Sequence, residues 1–298
     1  MNELFDRLII RIFFTIFIVA ILYLYRYAHV ALYPSSRKQM LKKFFPATND
    51  ADSVHLFGRI IGIGLIFSTL DLHIEKGLFL ALFNFFFLGV LNFILYLISI
   101  YILESIILYN FEYADEVLKR KNISYSTITF AIAISLAYVM RIVNYQAQGN
   151  AIIMMMLWLF AMVIFGFSTK IYKYVSELHF YQLLINKNFS LAISYTGFLF
   201  ACTSVITTSF DQSTTSIKNY AILIILKTLL AAIICPIFYK GIHFVFKIQT
   251  NQKNKDREEI ELPELGYGVY EGAIFFTTGL LTSIITGRIY FGTNYPIF

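Results

Sequence analysis

The chain has 298 residues, of which 58% are hydrophobic and only 14% charged, with a mean hydropathy of +0.68. A soluble domain carries about a quarter charged residues, and runs longer than about 18 residues with few charges recur here, so the composition excludes an ordinary soluble fold and points to a polytopic α-helical membrane protein. The segments of about ten alternating residues that mark a β-barrel are absent, and the net charge of +6 reads as basic loops set against anionic lipid rather than a nucleic-acid surface.

The first expected span covers residues 8–25. Arg7 and Arg11 stand at its start, and no small-residue cleavage site follows it, so it is read as an uncleaved helix. A linker, 35–53, carries Arg37, Lys38, Lys42 and Lys43 beside Phe44 and Phe45, a pattern suited to the membrane surface. The second span, 54–71, is short and glycine-rich, with Gly58, Gly62 and Gly64 around Arg59. The third, 77–109, is longer than the hydrocarbon is thick, so its Glu104 is expected at the interface.

A second linker, 110–122, sets Glu112, Asp115 and Glu116 ahead of Lys119, Arg120 and Lys121. The fourth span, 123–143, is rich in hydroxyls and has Arg141 near its far end; the fifth, 151–172, is plainly apolar. The third linker, 173–188, holds Glu177, His179 and an amphipathic run. The sixth span, 189–210, is again rich in Ser and Thr, and the seventh, 219–246, contains Lys227 and Pro236. A highly charged fourth linker, 247–264, leads into the last span, 266–290, where Glu271 and Arg288 stand among glycines and hydroxyls. Ionisable groups are costly in hydrocarbon, so this last helix is expected inside a bundle.

The spans pair into one unit: an apolar helix, a polar linker, then a helix of small and hydroxylated residues. Four such units, about 1–73, 74–146, 147–212 and 213–298, give an all-α polytopic fold of eight transmembrane helices as four parallel helical-hairpin repeats. Two junctions share a pattern, Lys121-Asn122-Ile123-Ser124 and Lys187-Asn188-Phe189-Ser190, in which Asn or Ser suits a helix N-cap. The linkers hold most of the lysine and arginine, so they are expected in the cytoplasm with both termini outside.

The sequence Glu177…Asn188…Ala192…Gly197, and the last helix with Glu271, Gly272, Ala273 and Gly279, resemble the YjfL-like family of bacterial inner-membrane proteins of uncharacterised function. That family has a glycine before the Asn, where Lys121 and Lys187 stand here. The resemblance implies the helical architecture and the bacterial inner membrane as compartment. It implies no chemistry.

Candidate functional groups are the intramembrane charges Arg59, Glu271, Lys227, Arg141, Arg288 and Glu104. Arg59 and Glu271, at similar depth in the first and last units, are expected to pair; alternatively Glu271 and Lys227 act as gating or proton-relay groups, or Lys227 snorkels. Cys202 and Cys235 read as small core residues, and five scattered histidines give no ligand spacing, so no metal or cofactor is implied. Catalytic motifs such as HExxH and GxSxG are absent, which argues against an enzyme. Two functions fit: a transport or channel-like protein moving a small solute or ion through a polar bundle, or a non-enzymatic scaffold or envelope-stress protein recruiting a cytoplasmic partner or anionic lipid through its linkers. The bilayer is the one firm partner; a homo-oligomer is left open.

Overall fold

The computed structural model describes residues 2–41, 46–70, 77–212, 217–246 and 264–288. The expected fourth linker lies almost entirely outside the described residues. Eight long helices run through the rest: α1 (Asn2–Leu32), α2 (Asp50–Phe67), α3 (Leu78–Ile107), α4 (Ile123–Ala147), α5 (Ala151–Thr169), α6 (Phe189–Phe210), α7 (Ile217–Phe246) and α8 (Leu265–Arg288). No strand forms among the described residues. Seven helices, all but α2, are long and apolar enough to cross a membrane. The exception carries Asp50, Asp52 and Arg59 in only 18 residues.

Polar side chains start several of these helices. Asn49, Asn122 and Asn188 each accept the N–H three residues on, at 3.3, 3.2 and 3.2 Å, and so cap α2, α4 and α6. Lys121 and Lys187, just ahead of two of those caps, have φ of +50° and +55°. That left-handed backbone is where a glycine costs least. The first three linkers contain short elements among their described residues: 3-10 turns at Pro34–Ser36 and Pro46–Thr48, a π-helical turn at Ala114–Lys119, and short helices at Tyr172–Val175 and Phe180–Ile185.

The chain divides into two compact units, Met1–Trp158 and Leu159–Phe298. In the first, α2 packs along α4; in the second, α6 packs along α8. These are the helices of small and hydroxylated residues. In their most apolar stretches 72% of α4, 61% of α6 and 50% of α8 is buried, against 17% of α1 and of α7. The apolar helices therefore keep large side chains outward, while close approach depends on missing side chains. A Cβ added at Gly197 would strike the backbone of Gly272, and one at Gly279 would strike Ala201. A Cβ at Gly58 would press on Phe130.

Candidate functional site

In the first unit the buried polar groups come from four helices and a linker. Tyr25 and His29 lie one turn apart on α1, with Tyr33 just beyond its end; Asp52, His55 and Arg59 share one face of α2. α2 and α3 run antiparallel, as the approaches of Phe67 to Gly89 and of Gly62 to Tyr96 show. That brings Glu104, near the end of α3, to Arg59. The guanidinium forms an ion pair with the Glu104 carboxylate, donates to the His55 carbonyl at 2.8 Å and donates to the Tyr33 hydroxyl at 2.8 Å. Tyr33 in turn donates to Glu104. Arg59 is completely buried and Glu104 is 8% exposed.

Around this pair the rings of His29, Tyr33, His55 and Tyr113 all touch one another, with centroid separations from 4.6 Å (Tyr33 to Tyr113) to 5.9 Å (His29 to Tyr113). The guanidinium lies 5.4 Å from the Tyr33 ring centre, within cation–π range. Tyr113, from the linker, donates to Asp52 at 2.6 Å. Burial pushes the Tyr33 and Tyr113 phenols well above their ordinary range, and the Asp52 carboxylate adds to that at Tyr113, so both remain hydrogen-bond donors. His55 Nδ1 meets the Thr129 hydroxyl at 2.9 Å, and Tyr25 meets His29 Nδ1 at 3.1 Å. The Nε2 atoms of both histidines have no hydrogen-bond partner among the described residues.

The second unit repeats this frame with other residues. Asn49 and Asn188, which cap α2 and α6, are 139 positions apart. The same step leads from Tyr33 to Tyr172, from His55 to Ser194, from Gly58 to Gly197 and from Arg59 to Phe198. Thr129 and Glu271 are each the seventh residue of their helices, α4 and α8. The His55–Thr129 contact thus has its counterpart in Ser194–Glu271. Glu271 is 2% exposed. It accepts from Ser194 and, at 2.9 Å, from Ser176 in the linker, while Tyr172 meets Ser194 at 2.8 Å. No lysine, arginine or histidine bonds to it among the described residues. Phe198, where the first unit has Arg59, stacks instead into the Tyr172, Tyr195 and Phe275 rings.

The expected pair of Arg59 with Glu271 is therefore corrected: each finds its partners inside its own unit. Glu104, expected at the interface, is a buried counter-ion to Arg59, because its helix runs back beside α2. Lys227 is 3% exposed on α7 and makes no hydrogen bond or ion pair with a described residue. Arg141 is exposed near the end of α4. Arg288 closes α8, and its side chain lies outside the described residues. His29, His55, Tyr33, Tyr113 and Asp52 were not singled out from sequence. The spacings Tyr25-His29-Tyr33 and Asp52-His55-Arg59, each one face of a helix, were the available signal.

Fold and sites define an all-helical, multi-pass membrane protein with an internal duplication. The family model described as Domain of Unknown Function (DUF350) matches residues 3–143 and, a second time, residues 147–285. The chain belongs to this family, with two copies of its domain. Each copy contains two of the four hairpins expected from sequence. No curated protein and no solved structure matches the chain.

Proposed function

We propose that the protein is a non-enzymatic, ion-responsive transport or channel-like protein of the bacterial inner membrane, with Glu271 as its responsive group. One observation carries the reading: Glu271 is held inside the second unit by the Ser176 and Ser194 hydroxyls with no cation bonded to it among the described residues, while the first unit pairs its Glu104 with an arginine. Intramembrane carboxyls without a fixed counter-ion are suited to exchanging an ion or a proton. In this reading α2 is an eighth span, since Glu104 and Tyr33 lower the cost of Arg59 in hydrocarbon. The basic linkers face the cytoplasm and both termini lie outside. The motif through Glu177, Asn188, Ala192 and Gly197 supports a relationship to the YjfL-like proteins in particular.

The test is ion or proton flux into liposomes carrying the full chain. Flux above that of empty liposomes, and its loss in Glu271→Gln, is the expected result. Flux equal in wild type and Glu271→Gln would remove Glu271 from the mechanism. A scaffold is the second reading. The glycine contacts Gly197–Gly272 and Gly279–Ala201 favour it, because so close a seam leaves no room for solute along α6 and α8. A chain that folds, moves no ion and retains a cytoplasmic protein through its linkers would select it.

A further inference from the structure

Hydrogen-bond bookkeeping at Glu271 says more than burial does. Ser176 donates to one carboxylate oxygen at 2.9 Å and accepts the Leu178 N–H at 3.1 Å. Ser194 donates to the other oxygen. Its proton is then committed, so the 2.8 Å contact with Tyr172 must be donated by the phenol. The arrangement can accept a proton: if the carboxyl carries one on the oxygen that faces Ser176, Glu271 donates to Ser176, while Ser194 still donates to the other oxygen and Tyr172 to Ser194. Both protonation states are hydrogen-bonded without moving the backbone.

The chain of bonds opens towards the linker. Ser176 is half-buried and its neighbour Glu177 is exposed, whereas Tyr172, Ser194 and Glu271 are buried. Among the described residues, the titratable groups that feel the Glu271 carboxylate are Glu177 and Tyr172 from the linker, Tyr239 from α7 and Tyr267 on its own helix. None of them is a cation. The first unit has no such exit. Its Thr129 hydroxyl donates to the Ser126 carbonyl at 2.9 Å, so the chain from His55 ends on backbone, and Glu104 is pinned by Arg59.

We propose that Glu271 is a proton-binding site loaded from water on the linker side through Ser176, with Ser194 and Tyr172 holding the carboxyl in either state. In the loading step a hydronium ion gives its proton to the Ser176 oxygen as Ser176 passes its own to the carboxylate. The hydronium oxygen loses one O–H bond, the Ser176 oxygen gains one as it loses another, and the carboxylate gains one; water and a neutral carboxyl remain, and nothing is oxidised. The inference rests on the reading of Glu271 as the responsive group and names the ion as the proton.

Infrared difference spectra of the full chain in bilayers, recorded as the pH is lowered, test it. The wild type should develop a carbonyl band of a protonated carboxyl that Glu271→Gln loses. Glu271→Asp, which keeps the acid on a shorter stem, should retain a band at a shifted position, so a folding failure of the glutamine variant does not decide the matter. Ser176→Ala should keep the band but slow its hydrogen–deuterium exchange. No acid-induced band in the wild type, or one untouched in Glu271→Gln, overturns the site; exchange unchanged in Ser176→Ala overturns the route. Flux is read separately. A band without flux retains the proton site and removes the transport reading, whereas flux without a band removes the proton site alone.

Discussion

The two units place a polar contact at the same point of the same frame and solve the burial of charge in opposite ways. In the first, Arg59 and Glu104 neutralise each other, and Tyr33, His55 and Tyr113 surround them. In the second, the arginine is replaced by Phe198 and the threonine opposite His55 by Glu271, so a carboxylate is kept among hydroxyls. Removing one member of a buried pair leaves a charge uncompensated, whereas removing an unpaired carboxylate relieves one. The difference teaches that an intramembrane acid cannot be assigned a role from depth alone; what matters is whether the same unit supplies its cation. The first unit reads as a clamp and the second as a site.

The comparison is broken most severely at Arg59. Arg59→Gln should destabilise the first unit by about 3–5 kcal/mol, seen as lost membrane yield and lower thermal stability, because Glu104 remains buried without its cation. Arg59→Gln combined with Glu104→Gln should recover part of that loss. A double variant worse than the single one would contradict the clamp.

Packing gives the next effect. Gly197→Leu drives a side chain into the Gly272 backbone and should cost at least about 1–3 kcal/mol. Gly64 has nothing within 4 Å of an added Cβ; Gly64→Ala should be neutral or gain up to about 1 kcal/mol from helix propensity. Equal losses at the two positions in thermal unfolding would remove the seam as an explanation for the small residues of α6 and α8.

Much of this frame was legible in the sequence. The glycines and hydroxyls of the last span point to a helix inside a bundle, and half of its most apolar stretch is buried, because in lipid small or hydrogen-bonding residues favour close helix contact. Asn122 and Asn188 read correctly as caps for a local reason: the bond spans three residues. The ion pair was not legible, because Arg59 and Glu104 are 45 residues apart and meet only through the antiparallel course of α2 and α3. The histidines escaped for the same reason. His29 and His55 lie on different helices, and their 5.7 Å ring separation leaves no trace in linear spacing. The fourth unit lacks an Asn before its last helix, so the shared junction weakens where Glu271 lies.

The smallest effect concerns the junction. At Lys187, φ of +55° puts a side chain in left-handed backbone, and Lys187→Gly should gain about 1 kcal/mol by relieving that strain. A loss in thermal stability would mean that the lysine side chain contributes more than its backbone costs.

The most direct test of unequal halves sets two isosteric changes side by side in one membrane preparation, Glu104→Gln and Glu271→Gln, with thermal unfolding as the readout. Glu104→Gln should lower stability by several kcal/mol, because Arg59 loses its counter-ion. Glu271→Gln should change it by about 1 kcal/mol or less, because hydrogen bonds are altered but no ion pair with a described residue is lost. Equal losses, or the larger loss at Glu271, would contradict the division into a clamp and a site.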